Sequence, residues 1–351
     1  MKILLIMTGG TICSRLDGGV LSSDTKYAAP LLINKLRRDS RYDGVEFEVM
    51  PVLDILSENM TLPRLWRLLG AFKAKDADKH SYAGIIVAHG TDTLAYTSSL
   101  LSLALAGYGK PVFLVSSQYP LVDPAANGFD NFRAAVDMIM LGFGDGVYVT
   151  YRNSDGVTYL HQGAHLEQCR SFTSNFYSFD MKPCLNADSC PITSEHAPLF
   201  ALRGLEECVL KIEPYVGVDY SRYELSGVKA VLCGSYHSST ACVERGTKRQ
   251  AFTKRSVLYL LRRCKAKNID FWLTGFDASR LDPDGELNPG AYSTTADLLC
   301  SGVRPVLSMT SEAAYMKLIL AYSLGFEGDE VEAFMSRQLA GESLIQKGKD
   351  L

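Results

Sequence analysis

The feature that most restricts the fold of this chain is a repeated pattern in which a short apolar run ends in small or polar residues. Five such runs occur in the first half: KILLIMTGG (2–10), FEVMPVLDI (47–55), YAGIIVAHG (82–90), PVFLVSSQ (111–118) and GVYVTYRN (146–153). Continuous Val, Ile and Leu runs of this length suit strands that are buried on both faces of a parallel sheet. Helical patterns follow the runs, so the sequence predicts a doubly wound α/β fold.

The helical patterns and the second half of the chain define the domain organisation. The first four helices are predicted at 30–38, 61–75, 93–106 and 131–141. Residues 185–205 contain prolines and many polar residues and interrupt the alternation of apolar runs and helical patterns. We therefore interpret 185–207 as a linker. Apolar runs and helices then resume, with helices predicted at 254–265, 294–301 and 311–323. We therefore predict a larger N-terminal domain at 1–184 and a smaller C-terminal α/β domain at 208–351.

Composition excludes several classes of function. The 351 residues carry a net charge of −3 and no long basic run, which argues against nucleic-acid binding. No segment approaches the roughly 18 consecutive apolar residues of a membrane span. The apolar run at 3–7 is too short for the core of a signal peptide. Nine cysteines without a CxxC pair fit a reducing compartment, so we expect a cytoplasmic protein.

Three strand ends carry the residues that are suited to chemistry. In open α/β sheets, ligands bind beyond the carboxyl ends of the strands. The first run ends in MTGGTI, where Gly10 lets the backbone turn and Thr11 follows. The run at 82–90 ends in HGTDT, with Gly90, Thr91 and Asp92. The run at 47–55 is followed by Ser57 and Glu58.

Each strand end also has a simpler structural interpretation. The two glycines of MTGGTI could form a plain tight turn, and Asp92 could be the N-cap of a helix. Neither interpretation accounts for the second hydroxyl beside Asp92. If the two Thr/Gly turns face each other across a cleft, one threonine could be a nucleophile and the other a proton relay, with Asp92 setting the charge.

Six motifs in this order resemble those of one enzyme family. TGGTI and HGTDT are similar to the two signatures of the bacterial-type L-asparaginases, with the type I, cytoplasmic branch as the nearest match. SSQYPL, NGFDNFRAAV, GAYSTTADLLCSG and MTSEAAYMKL resemble further motifs of that family. The resemblance covers nearly the whole chain. It implies the two-domain asparaginase fold and cofactor-free hydrolysis of L-asparagine to L-aspartate and ammonia.

The resemblance also implies roles for individual residues. Thr11 matches the nucleophile that forms an acyl-enzyme, and Thr91 matches the second threonine, which acts on the proton or the water. Asp92 matches the carboxylate that holds the substrate's amino group. The expected substrate-binding residues are Gly10, Ser57, Glu58, Gly90 and Ser117, the last of these in SSQYPL.

The family's tyrosine beside the nucleophile has no direct counterpart here. Val20 stands where the tyrosine is expected, and Tyr27 lies nearby in sequence. The C-terminal GAYSTTADLLCSG motif places Tyr292 at the position to which some branches of the family assign this role. We expect Tyr292 to serve the nucleophile; the alternative is that it packs at a domain edge.

A more serious departure concerns the family's lysine. An ungapped match of LHQGAHLEQCRSFTS puts Gly163 in its place, and no lysine occurs between Lys110 and Lys182. A positioned base contributes about 100- to 10,000-fold to a rate, so its loss matters. Three hypotheses follow: His161, His165, Arg170 or Asp92 substitutes for the lysine; the protein acts on another amide or ester; or it binds an amino acid without turnover.

Other expectations concern metals, thiols and partners. His161 and His165 are four residues apart but lack further zinc ligands in the pattern, so we expect no metal. Cys13 is expected to be a small buried hydrophobic residue.

The resemblance implies a homodimer or homotetramer, in which a neighbouring copy helps to close the site. An amidotransferase subunit that acts on tRNA shares the core but has an extra N-terminal domain. Since this chain begins at the first strand, we expect no such role.

Overall fold

The structure is a computed structural model that describes residues 1–179, 181–184, 197–246, 252–282 and 286–344. It divides into two compact units, one formed by Met1–Leu205 with Gln338–Glu342 and the other by Glu206–Arg337 with Ser343–Leu351. Most of the predicted linker, residues 185–196, lies outside the described residues. The chain returns to the first unit for five residues near its end, which the sequence pattern does not indicate.

A seven-stranded sheet forms the centre of the first unit, and its strands lie in the order β4 (Glu46–Ile55), β1 (Lys2–Gly9), β5 (Gly84–Ala88), β6 (Pro111–Val115), β7 (Gly146–Arg152), β8 (Thr158–Gln162) and β9 (Lys182–Pro183). The pairings from β4 through to β7 are parallel, and the two pairings that involve β8 are antiparallel. The predicted α/β class with a mainly parallel sheet is confirmed.

The helices of the first unit lie near their predicted positions. They are α1 (Thr25–Leu36), α2 (Leu62–Lys75), α3 (Leu94–Ala104) and α4 (Gly128–Met140). Helix α1 begins five residues before the predicted start because the Asp24 side chain accepts the Tyr27 backbone N–H at 3.1 Å and caps the helix there. Pro30 is accommodated inside the helix rather than at its start.

The apolar runs form the hydrophobic core of the first unit, as expected for strands that are buried on both faces of a sheet. Every residue of β5 and β6 is buried, and so is β1 from Ile3 onward. The sequence pattern missed a short antiparallel hairpin of β2 (Ser14–Asp17) and β3 (Val20–Ser23) directly after the first strand end. It also missed β8, because GVTYLHQG is too short and mixed in character to predict a strand.

The second unit contains a four-stranded parallel sheet in the order β10-β11-β12-β13. Its strands are β10 (Val209–Ile212), β11 (Ala230–Gly234), β12 (Asp270–Phe276) and β13 (Arg304–Leu307). Its helices are α5 (Val257–Lys265), α6 (Ser293–Cys300), α7 (Ser311–Ser323) and α8 (Asp329–Ser336), and the sequence pattern missed α8. Across the described part of the chain, no helix is both long and apolar enough to span a membrane.

Candidate active site

Three strand ends of the first unit meet through direct backbone contact. Strand β1 lies between β4 and β5, so the loops that follow these strands share one edge of the sheet. A Cβ built on Gly10 would clash with the backbone of Gly90, and a Cβ built on Gly90 would clash with the side chain of Ser57. Glycine is therefore required at both positions by close approach. The sequence motifs around Thr11, Ser57 and Thr91 are thereby held at one place.

Thr11 follows this contact on a short turn. Gly10 has a φ of +81°, which favours glycine, and its N–H donates to the Ile55 carbonyl at 2.7 Å. Thr11 begins a 3-10 turn that ends at Cys13, and its side chain is half-buried. Cys13 is fully buried, and burial raises its pKa to about 12. Its thiol therefore stays protonated near pH 7 and is not suited to act as a nucleophile.

Ser57 and Asp92 form a reciprocal pair. The Ser57 hydroxyl donates to Asp92 Oδ2 at 3.2 Å and accepts the Asp92 backbone N–H at 3.1 Å. The Thr93 hydroxyl adds a bond of 2.9 Å to the Ser57 carbonyl. Thr93, and not Asp92, is the N-cap residue of α3, so the interpretation of Asp92 as a helix cap is wrong. The Asp92 carboxylate therefore bonds to the Ser57 side chain and does not cap helix α3.

The His89 ring supports the turn at Gly90 through two hydrogen bonds. It is fully buried; its Nδ1 lies 2.7 Å from the Gly90 carbonyl and its Nε2 lies 3.0 Å from the Thr97 hydroxyl. Burial lowers the pKa of His89 to about 4, so the ring is neutral near pH 7. The neutral ring donates from Nδ1 to the carbonyl and accepts the Thr97 O–H at Nε2. We infer a structural role that fixes the Gly90 peptide.

A cavity of about 350 Å³ opens beside Thr91 and Asp92. Residues 168–174 and Phe176 form one wall, and Gln118 and Tyr151 complete it. The lining is mostly polar, with carboxamides, hydroxyls and one guanidinium. Such a volume with a few convergent polar groups is typical of a small-molecule site.

Gly163 is buried, and there is no free space beside it for a side chain. It begins a 3-10 turn that packs against helix α3, and its carbonyl accepts the Ser98 hydroxyl of that helix at 2.8 Å. A Cβ built on Gly163 would lie 2.6 Å from the Ser102 hydroxyl oxygen and 3.0 Å from the Val147 carbonyl oxygen. The position that the resemblance assigns to the lysine is therefore closed by helix α3 and strand β7.

The suggested substitutes for the lysine differ in their surroundings. His161 Nδ1 lies 2.9 Å from the Ser178 hydroxyl, and His165 Nε2 lies 2.7 Å from the Gly341 carbonyl. Both rings are buried and engaged there. Arg170 is exposed and lines the cavity with Asp92. Within the described ranges, no group of three or more His, Cys, Asp and Glu side chains could hold a metal ion.

The structure places the remaining candidate residues, Ser117, Glu58, Tyr292 and Tyr27, in four different environments. The Ser117 hydroxyl donates to the Tyr119 carbonyl at 2.6 Å and accepts the Gly128 N–H at 3.1 Å, so it braces the start of α4. Glu58 is exposed on the 3-10 turn after β4. Tyr292 belongs to the second unit, where it precedes α6 and is 56% exposed. Tyr27 lies under the Arg15 guanidinium at 5.9 Å. Their catalytic and binding roles stay predictions.

Comparison with known proteins assigns the family. The profile described as "Asparaginase, N-terminal" matches residues 2–197, more than half of the chain. The chain belongs to the asparaginase family. A glutamyl-tRNA(Gln) amidotransferase subunit from Methanococcus maripaludis is 29% identical over 366 residues, covering 97% of this chain and 80% of the relative. An L-asparaginase from Thermococcus kodakarensis is 27% identical over 355 residues, covering 97% of this chain and 99% of the relative.

Solved structures of the family have the same fold. The thermostable L-asparaginase from Thermococcus kodakarensis superposes with a TM-score of 0.72 at 22% identity, covering 98% of this chain and 99% of that one. L-asparaginase I from Vibrio cholerae gives a TM-score of 0.67 at 22% identity, covering 97% and 98%. The asparaginase fold expected from the sequence motifs is confirmed. Membership of the family supports an enzyme of the amidohydrolase type with a small-molecule substrate.

The sequence pattern does not reveal most of the cavity wall. Residues 168–174 belong to a stretch that only anchors the family match. Gln118 lies in the SSQYPL motif, but neither Gln118 nor Gln168 was predicted to be a site residue. The sequence did contain one indication of this wall, because LEQCRSFTS is a polar stretch with one arginine that follows a buried segment. The pattern does not indicate that this stretch folds back against Thr91 and Asp92, some 80 residues earlier.

Proposed function

We propose that this protein hydrolyses the side-chain amide of L-asparagine to L-aspartate and ammonia, with Thr11 as the nucleophile. The observation that supports this most is the contact between the Gly10 and Gly90 backbones. Thr11 and Thr91 follow these glycines directly, so two hydroxyl-bearing residues start from a single point of contact. A pair of hydroxyls beside a carboxylate is the arrangement that a threonine amidohydrolase needs.

The proposed reaction has two steps. Thr11 Oγ1 attacks the amide carbon, the hydroxyl proton passes to the leaving nitrogen, and ammonia departs to leave a β-aspartyl ester. Water then attacks the ester, releasing aspartate and restoring the hydroxyl. Thr91 would carry the proton between these groups, and Asp92 would hold the substrate's ammonium. Backbone N–H groups near Gly90 and Thr91 would face the oxyanion, a contribution often worth about 3 kcal/mol.

A second candidate is an asparaginase-like protein that binds an amino acid without turnover. The closed surroundings of Gly163 favour it, because a Cβ there meets the Ser102 hydroxyl and the Val147 carbonyl, so a lysine fits only with local rearrangement. Both candidates use the same residues to bind the ligand. They differ in whether product forms.

Ammonia release from L-asparagine distinguishes these candidates. We expect wild-type turnover, its loss in Thr11→Ala, and partial retention in Thr11→Ser, which keeps a hydroxyl. Thr253→Ala, which removes an exposed hydroxyl bound to Glu244 in the second unit, should have no effect. Turnover by Thr11→Ala at the wild-type rate would reject Thr11 as the nucleophile. A rise in melting temperature with aspartate but no product would favour the second candidate.

We also propose, from the family resemblance, a homodimer or homotetramer that works in the cytoplasm. Light scattering coupled to size-exclusion chromatography measures the assembly, and fractionation of the source cells measures the location. A monomer at micromolar concentration would reject the first proposal.

A further inference from the structure

The turn that carries Thr11 is in close contact with the end of strand β4 and with Ser23. A Cβ built on Gly9 would clash with the Ile55 backbone and would lie 2.8 Å from the Ser23 hydroxyl oxygen. The Gly10 N–H donates to the Ile55 carbonyl at 2.7 Å. The backbone that leads into Thr11 is therefore held against these two groups.

Asp54 connects Ser23, the last residue of strand β3, to strand β4. Its Oδ1 accepts the Ser23 hydroxyl at 2.6 Å and the Thr25 backbone N–H at 3.3 Å. A hydroxyl that donates to a carboxylate forms a shorter and stronger bond than one that donates to a neutral group, and 2.6 Å is typical of such a bond. Because Asp54 immediately precedes Ile55, one short segment of β4 binds both the β2–β3 hairpin and the turn.

The other strand of the hairpin completes the connection. The Ser14 hydroxyl donates to the Gly10 carbonyl at 3.1 Å, and Ser14 pairs with Ser23 across the hairpin. The Asp24 N–H donates to the Cys13 carbonyl at 2.9 Å. These contacts close a ring at the base of the turn, which we call the Thr11 ring; its members are Gly10, Ser14, Ser23, Asp54 and Ile55.

Asp54 and Ser23 belong to this ring and not to the cavity wall. Neither residue lines the cavity beside Thr91 and Asp92. The Asp54 oxygen that accepts the Ser23 hydroxyl also accepts the Thr25 N–H. Loss of Asp54 should therefore leave the ligand contacts in place and change the placement of the turn.

We propose that Asp54 is a positioning residue for the proposed nucleophile Thr11, and that it acts through Ser23. The bond between Asp54 and Ser23 closes the Thr11 ring, which fixes the turn and thereby the direction in which the Thr11 side chain leaves it. A nucleophile needs this placement, because a displacement of about 1 Å can cost about 100-fold in rate. This proposal rests on the proposed function and adds a residue to its first step.

The kinetics of ammonia release from L-asparagine test this role. Asp54→Ala and Ser23→Ala should each lower kcat by about 10- to 100-fold. The KM should change less than about twofold, because neither side chain binds the ligand. The double variant should lose no more than either single variant, since both substitutions remove the same bond. Asp54→Asn keeps an oxygen that can accept the Ser23 hydroxyl and should recover part of the loss.

Amide hydrogen exchange gives a second readout that does not depend on turnover. The N–H groups of Gly10, Cys13 and Asp24 all donate to carbonyls at the base of the turn and the hairpin. Peptides that contain these amides therefore report whether the Thr11 ring stays closed. Asp54→Ala and Ser23→Ala should both lose protection of these three amides.

Asp219→Ala is the matched control. In the second unit, Asp219 Oδ1 accepts the Ser221 hydroxyl at 2.6 Å and the Ser221 N–H at 2.9 Å, so this pair repeats the chemistry of Asp54. Asp219→Ala should leave kcat and the exchange of the three amides unchanged. A wild-type kcat in Asp54→Ala and Ser23→Ala, or additive losses in the double variant, would overturn the proposal.

A failure of the proposed function gives a different result from a failure of this proposal. If the wild type releases no ammonia, the proposed function fails and hydrogen exchange alone decides whether Asp54 holds the turn. Loss of protection in Asp54→Ala and Ser23→Ala, but not in Asp219→Ala, then supports the positioning of Thr11. Wild-type protection in Asp54→Ala overturns it.

Discussion

The Ser57 hydroxyl and Asp92 are joined twice, by a bond of 3.2 Å to the carboxylate and a bond of 3.1 Å from the backbone N–H. Two loops that follow different strands are thus locked together by one side chain. The bonds fix both the position of the Asp92 backbone and the direction of its carboxylate. The ammonium-binding role proposed for Asp92 needs such fixation, because a misdirected carboxylate loses much of its effect.

Replacing Ser57 by Ala is expected to lower the free energy of unfolding by about 1–3 kcal/mol, since a part-buried carboxylate and an N–H each lose a partner. It should also lower kcat/KM more than about tenfold, because Asp92 is no longer held. Denaturant unfolding and ammonia release measure the two effects. Ser221→Ala removes a hydroxyl bonded to Asp219 at 2.6 Å in the second unit, and it should leave kcat/KM unchanged. Equal kinetics for both variants would contradict this role of Ser57.

Replacing Gly10 by Ala tests the backbone contact with Gly90. Gly44 is a matched control, because its φ of +83° is close to the +81° of Gly10 and its surroundings are open. Gly44→Ala should cost about 1 kcal/mol from its conformation alone. Gly10→Ala should cost about 1–3 kcal/mol more because of the clash, and should abolish turnover. Equal loss of stability in the two variants, measured by urea unfolding, would show that the contact is looser than described.

Introducing a lysine at Gly163 is expected to destabilise the protein and not to increase activity. The new side chain meets the Ser102 hydroxyl and the Val147 carbonyl, and such overpacking costs about 1–3 kcal/mol. Gly204→Lys is the control, since a Cβ there meets nothing within 4 Å. Thermal unfolding and ammonia release should be measured on both. A large gain of activity in Gly163→Lys would mean that the turn at 163–165 rearranges readily.

The buried His89 predicts a loss of stability in acid. Its pKa is lowered to about 4 in the folded protein, from an ordinary value of about 6.5. Between these two values the unfolded chain binds a proton that the folded chain does not, so stability falls as pH decreases from 6.5 to 4. The maximum loss is about 3 kcal/mol.

The measurement is urea unfolding of the wild type and His89→Gln over this pH range. The variant should lose less stability than the wild type between pH 7 and pH 4. His80→Gln, at an exposed position in a 3-10 turn, should follow the wild-type slope. Parallel curves for the wild type and His89→Gln would reject a titrating role for this histidine.

The sequence alone determined the α/β class, the strands that the apolar runs form and most of the helices, because burial on two sheet faces and helical periodicity leave local patterns. It also indicated that Gly10 and Gly90 follow strands of one sheet, and the family motifs predicted that Thr11, Thr91 and Asp92 lie near each other. The hairpin after Cys13 and the strand at 158–162 were not predicted, since short mixed segments lack a distinctive period.

Only the tertiary structure decided how the side chains use these positions. The commitment of Ser57 to Asp92, the closed surroundings of Gly163 and the place of Arg170 in the Asp92 cavity all depend on contacts between segments roughly 35 to 80 residues apart. Such contacts follow from packing and from the matching of individual donors with acceptors, which no local period encodes. The sequence could therefore name Gly163 and Arg170, but not say which side chain position is enclosed and which lines the cavity.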